Sequence, residues 1–343
     1  MLDEFVFKEI TDEKYNYSFG YYTENKWLDE KSLVLIRGNT PSISTDKATD
    51  SYAELIIYNV ENGEVCIVAD GVSSFTDFLV HGNTVYYVKN SALLSYNSDN
   101  GETKELVSKK GIGNVHINSD GRFISAFCCD RSVSSHYIVN TETGVTELLF
   151  EKTFPEPYPF ANHGMVSPTD ENIYFFAHEG DTKNIFDRMW IYDRRKKEMR
   201  NIAKQRVDDN GYPIDCIGHE CFAHDGCGLY FVRYHESRSE NGICYADVYG
   251  SCMRLLYTGY DYWHVGASES GNYLTADTRN LGGDKSGVVI IDLKSGEEKL
   301  IDAPRVTFKH PCHPHPQLSP DDKRLIYHFV SDSGMIGVKI VYL

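Results

Sequence analysis

The sequence has no extended basic stripe, no apolar run long enough to cross a membrane and no Cys-x-x-Cys pair. Asp and Glu number 50 against 34 Lys and Arg, a formal charge of −16, so nothing tracks a phosphate backbone and nucleic acid is not an expected partner. A membrane helix needs about 20 consecutive apolar residues, so no membrane contact is expected. The opening MLDEFVFKEITDEK is acidic where a signal peptide is basic. Nine cysteines, an odd number without zinc-finger spacing, argue against a disulfide framework and for a reducing compartment, which places the expected protein in the cytoplasm. The Gly-x-Ser-x-Gly elbow is missing, which excludes a propeller-linked serine hydrolase. No Pro/Gly/Ser-rich linker divides the 343 residues, so one domain over residues 1–343 is expected.

What is present is aromatic and repetitive. Aromatic residues make up 13% of the chain, with 24 Tyr and 17 Phe, a composition that favours strands. The same hairpin recurs as ELIIYNVENGEVCIV, LLSYNSDNGETKELV, HYIVNTETGVTELLF and VVIIDLKSGEEKLID, with Gly63, Gly101, Gly144 and Gly296 in the turns. Each glycine supplies the left-handed backbone that a short hairpin requires. MWIYDRRKKEMRNI and CYADVYGSCMRLL are degenerate copies, and KIVYL ends the chain on the first strand of a seventh. Between the hairpins lie a second strand pair and its turn, as in INSDGRFISAF and SPDDKRLIYHF. Two hairpins in about 40 to 50 residues are one propeller blade. The fold class expected is all-β, a seven-bladed β-propeller of four-stranded antiparallel blades. The segment from Phe5 to Ile10 is expected to pair with the terminal strand and close the ring, removing an exposed edge.

Histidines fall in corresponding parts of successive blades: His163, His178, His219, His264, and the group His310, His313 and His315. In KHPCHPHPQLSP, His313, His315 and Gln317 alternate with prolines and share one face of an extended segment. Two imidazoles at i and i+2 on a stiff strand suit a divalent metal, with His264 a third ligand and His310 a fourth; the competing reading is a Pro-rich surface loop. His219, in IGHECFAHDG, suits a general base, since imidazole titrates near neutrality, or is a core or capping histidine. Arg188, in FDRMWIYD, can anchor a carboxylate through its planar fork or serve as a surface ion-pair partner. His163 and His178 are candidates for lining the same pocket. Tyr262, Trp263 and the Tyr21–Tyr22 pair can stack on a sugar ring or fill the core. Residues 39–52, rich in Ser, Thr and Asp, read as a substrate loop or an inert insertion.

The order NHGMVSPTDENIYFFAHEG, DRMWIYD, GHECFAHDG, HVGASESGNYLTAD, HPCHPHPQLSPDDKRLIY resembles the oligogalacturonate lyases over about Phe160 to Tyr327. The resemblance implies a metal-dependent lyase that acts on a small anionic oligosaccharide and leaves an unsaturated uronate. It implies a manganese-like ion held near His264, His313 and His315, with His310 where the family has glutamine. It also implies His219 as the base and Arg188 against the substrate carboxylate. An additional imidazole in that ligand set suits Zn2+, Ni2+ or Fe2+ as well as Mn2+. After Glu179 this chain reads Gly-Asp-Thr-Lys-Asn, where the family has a Gly-Pro-Trp-like stretch. Two other functions fit the same sequence: a lyase or epimerase acting on a different uronate, and a non-catalytic sugar- or protein-binding propeller.

Overall fold

The computed structural model describes residues 5–20, 24–38, 52–73, 76–250, 252–279, 281–308 and 312–343. Tyr21, Tyr22, residues 39–51 of the Ser/Thr-rich segment and His310 lie outside these residues. All 28 elements are strands, arranged in seven four-stranded antiparallel sheets, and the chain is a seven-bladed β-propeller. Among the described residues, no helix is long and apolar enough to cross a membrane.

By internal contacts the chain divides into two compact units, residues 1–104 with 268–343, and residues 105–267. The first unit contains β1 (Val6–Ile10), β2–β5 (Asn16–Ser18, Ser32–Gly38, Tyr52–Asn59, Val65–Ser73) and β6–β8 (Phe78–His81, Thr84–Lys89, Ala92–Asn97), to which β9 (Thr103–Ser108) adds the outer strand. The second unit contains β10–β13 (Gly113–Ile117, Phe123–Asp130, Val133–Asn140, Thr146–Lys152), β14–β17 (Phe160–Val166, Ile173–Glu179, Met189–Asp193, Glu198–Ala203), β18–β21 (Ile217–Phe222, Gly228–Arg233, Gly242–Asp247, Met253–Tyr257) and β22 (Tyr262–Ala267). The strands β23–β25 (Tyr273–Thr278, Val288–Asp292, Glu298–Asp302) and β26–β28 (Gln317–Leu318, Arg324–Val330, Ile336–Tyr342) follow in the first unit.

The terminal sheet closes as the sequence requires. The N-terminal strand β1 pairs antiparallel with β28, Val6 opposite Tyr342 and Ile10 opposite Val338, so the last strand has no bare edge. The recurring hairpin turn is fixed by an Asx residue at its start. Asn59, Asn97, Asn140 and Asp292 each accept two backbone N–H bonds through Oδ1. Four residues on, Gly63, Gly101, Gly144 and Gly296 adopt φ of 79°, 73°, 71° and 75°. In the degenerate copy starting at Asp193, Lys197 takes that place with φ 57°, a left-handed conformation that a β-carbon makes costly. The turn therefore survives without its glycine because the Asp193 carboxylate still accepts from Arg195 and Lys196 N–H.

The cores follow the alternation of the strands. Around Leu33, Leu35, Leu55, Ile56 and Ile326, fully buried apolar side chains fill the first unit. In the second, Phe175, Ile191, Leu229 and Phe231 form one cluster, and Phe150, Tyr174 and Phe176 another.

Candidate functional site

The first strands of three consecutive blades carry the same irregularity. Register shifts fall between Gly113 and His116 in β10, Asn162 and Met165 in β14, and Gly218 and Cys221 in β18. Inside them Asn114, His163 and His219 have φ of 58°, 52° and 54°. A bulge with a left-handed residue re-aims one side chain out of the pleat, a strained arrangement that concentrates at functional sites. Counted back from the turn that ends each first strand, Asn114, His163, His219, His264 and His315 occupy equivalent positions in five successive blades.

Two glycines make room for the bulges. A β-carbon on Gly164 would collide with the Tyr174 hydroxyl, and one on Gly218 with the Tyr234 hydroxyl. The Tyr234 ring meets His219 edge-on, centroids 5.9 Å apart at 88°. On its other side His219 packs against His264, centroids 3.9 Å apart at 79°, and His264 stacks in turn on Trp263 at 4.7 Å. His219 is therefore held between a tyrosine and a second imidazole.

Arg188, which precedes β16, is a buried ion-pair centre, only 3% exposed, and not a surface residue. Its Nε donates to Glu220 Oε1 at 2.5 Å and its Nη2 to Glu179 Oε2 at 3.0 Å. His163 Nε2 lies 3.3 Å from the same Glu179 oxygen, and its Nδ1 lies 3.9 Å from Glu220 Oε2. Burial pushes the Glu179 carboxyl up, but Arg188 and His163 outweigh it and hold the group well below the usual carboxylate range. Burial likewise opposes the charge on Arg188, and Glu220 with Glu179 hold it well above its ordinary value. Among the described residues Arg188 Nη1 has no hydrogen-bond partner, so the guanidinium keeps donor capacity for a further acceptor.

The proline-stiffened segment before β26 places its histidines as the alternation requires. His313 and His315 are both 3% exposed and their rings stack, centroids 5.5 Å apart at 18°. The segment is braced along its length. Thr275 Oγ1 donates to Pro316 O at 2.6 Å, and the His315 N–H donates to the buried Asp277 Oδ2 at 3.0 Å. His328 Nδ1 lies 3.0 Å from His313 O, while its Nε2 accepts from Phe19 N–H at 3.2 Å, so Nδ1 carries the proton and donates. Burial depresses the His328 pKa to about 3, so this brace stays neutral. Buried imidazoles of this kind suit a borderline divalent cation such as iron, nickel or zinc. Gln317, 4% exposed, stands two residues beyond His315 on the same face.

Two expected site residues are placed elsewhere. Both ring nitrogens of His178 are engaged: Nδ1 is 2.6 Å from Asp187 Oδ1, Nε2 2.9 Å from Tyr158 O, and the ring stacks on Phe154 at 3.8 Å. Alternation along β15 is the reason, since Glu179, the next residue, takes the face that meets Arg188. Tyr262 is completely buried, edge-on to Tyr260 at 5.9 Å, and has no face to offer a sugar. Glu179 and Glu220 were the residues that sequence reasoning passed over. The signal for both was local, each carboxylate directly following a candidate histidine in HEG and GHE.

No protein-family model matches the chain. Over 198 residues, 53% of this chain, it is 23% identical to an oligogalacturonate lyase of Dickeya dadantii (strain 3937), and the match spans about half, 48%, of that curated relative. Its fold is similar to that of an oligogalacturonate lyase solved in complex with manganese, with TM-score 0.79, 16% identity, and coverage of 99% of this chain and 96% of the other. A second oligogalacturonate lyase structure, from Vibrio parahaemolyticus, superposes with TM-score 0.77 at 15% identity, covering 98% and 96%. The chain thus resembles the oligogalacturonate lyases in sequence over half its length and in fold over nearly all of it.

Proposed function

We propose that this chain is a metal-dependent lyase that cleaves short oligogalacturonides in the cytoplasm by β-elimination. The observation that carries the reading is the contact of His219 with His264, ring centroids 3.9 Å apart, His264 being one of the histidines that the resemblance assigns to the metal. A candidate base is thereby held beside a candidate metal ligand. The resemblance to oligogalacturonate lyases, one of them a manganese complex, supports the same assignment.

The chemistry asks for both groups. Removing the C5 proton of a uronate builds negative charge next to a carboxylate that is already negative. A divalent cation, for which the resemblance assigns His264, His313 and His315 as ligands, would supply the compensating positive charge. His219 accepts the proton. The electron pair of the C5–H bond becomes the C4=C5 double bond, and the C4–O pair leaves with the oxygen of the second sugar, which takes up a proton from solvent. General-base catalysis of this kind contributes about 100-fold to 10,000-fold. Arg188 orients the substrate by donating to a uronate carboxylate, its plane fixed from behind by Glu220. The ligand is a small anionic oligosaccharide, drawn to a protein of net charge −16 by this local cationic site.

The test is the mass of the products from digalacturonate and trigalacturonate with manganese-loaded protein. Elimination gives fragments whose masses sum to that of the substrate, one of them unsaturated. Fragments whose sum exceeds the substrate by one water would replace the lyase with a hydrolase, and an unchanged mass with inverted C5 in the proton NMR spectrum would replace it with an epimerase.

A further inference from the structure

The Arg188 fork is already occupied by protein carboxylates, and the two are not equivalent. Glu220 is fully buried at its side chain and binds the Nε edge at 2.5 Å. Glu179 binds Nη2 at 3.0 Å with a side chain 29% exposed, whereas the side chain of Arg188 is 4% exposed. Solvent therefore meets the Glu179 carboxylate before it meets the guanidinium. Arg188 Nη1 is buried, and among the described residues no acceptor meets it. The Nη1/Nη2 edge is a two-pronged donor that currently holds one oxygen of Glu179 on one prong.

From this we infer that Glu179 is a resident stand-in for the ligand carboxylate and a specificity-determining residue of the site. This rests on the reading of Arg188 as the uronate anchor. An incoming carboxylate displaces Glu179 from Nη2 and bonds across Nη1 and Nη2 together, the bidentate geometry that favours arginine over lysine for planar anions. The displaced Glu179 keeps His163, whose Nε2 already lies 3.3 Å from the same oxygen, so its charge is not left without a partner. Glu220 does not move. It is a positioning residue that holds the plane of Arg188 while the outer carboxylates exchange. The site accepts only a ligand that competes with an anion already in place, so a neutral sugar gains nothing from the arginine.

The two carboxylates therefore give opposite effects when neutralised, which a shared structural role does not. Calorimetric binding of galacturonate, which has no glycosidic bond to break, and of galactose is measured on manganese-loaded wild type, Glu179→Gln and Glu220→Gln. Glu179→Gln binds galacturonate about tenfold more tightly than wild type, equivalent to about 1.4 kcal/mol, with galactose unchanged, and Glu220→Gln binds galacturonate more weakly. Galacturonate bound no more tightly by Glu179→Gln, an equal gain for galactose, or no galacturonate binding by any of the three proteins would overturn the proposal. The predicted pattern of binding in a protein that fails to cleave oligogalacturonides would support the stand-in and remove the lyase reading instead.

Discussion

A methyl group added at Gly218 tests whether the bulge in β18 sets the position of the base. An ideal β-carbon there lies 3.1 Å from Cε2 and Cζ of Tyr234 and closer still to its hydroxyl. Carbon atoms pack at about 3.5–4.0 Å, so the Tyr234 ring must retreat by roughly 0.5–1 Å. At 9% exposure the ring cannot swing into solvent, and overpacking of this kind costs about 1–3 kcal/mol. At about 2–4 °C per kcal/mol for a large domain, Gly218→Ala melts roughly 2–12 °C below wild type. Tyr234 is also the edge against which His219 rests, so its retreat moves the imidazole. A displacement near 1 Å at a reacting group costs about 100-fold in rate. Scanning calorimetry reads the first effect and kcat on trigalacturonate the second. A Gly218→Ala protein with the wild-type melting temperature and wild-type kcat would refute the reasoning, because Gly218 would then not set the base.

Other perturbations separate the parts of the site. Arg188→Ala leaves Glu179 and Glu220 without their shared cation and destabilises by about 3–5 kcal/mol in urea unfolding; adding Glu220→Gln recovers part of the loss, and a double variant no more stable than the single one contradicts the ion-pair account. His264→Ala and His313→Ala each strip manganese from the dialysed protein, measured by elemental analysis, and full retention in either removes that residue from the ligand set. Acid stability has a defined sign at His136, whose pKa burial lowers to about 3. It binds its proton more readily unfolded than folded, so its contribution is complete above about pH 6.5 and is lost as pH falls toward 3. His136→Phe therefore flattens the fall in unfolding free energy between about pH 6 and 4, and an unchanged slope would place the acid sensitivity elsewhere.

The propeller was legible because its repeat is written in turn chemistry. The Asn-Gly, Thr-Gly and Ser-Gly turns announce the hairpins, and an unpaired C-terminal strand requires the N-terminal segment beside it. The pairing of His313 with His315 was legible for a similar reason, since proline and strand alternation put both on one face, where their rings stack. Alternation was not applied to the end of β15, where it separates His178 from Glu179. Burial of Tyr262 depends on packing around it, which a strand pattern of aromatics does not reveal. The Arg188 cluster was hidden for a physical reason too. Its carboxylate partners come from β15 and β18, 9 and 32 residues away in sequence, and His163 reaches the same cluster from a bulge in a third strand, β14.

The central claim is metal-assisted elimination with His219 as base. The direct measurement is the ultraviolet absorbance of the unsaturated uronate during incubation of trigalacturonate with manganese-loaded wild type, His219→Ala and chelator-treated protein. A steady rise in the wild type that both controls abolish is the predicted result. A flat trace in all three, with manganese shown to be bound to the wild type, contradicts the account.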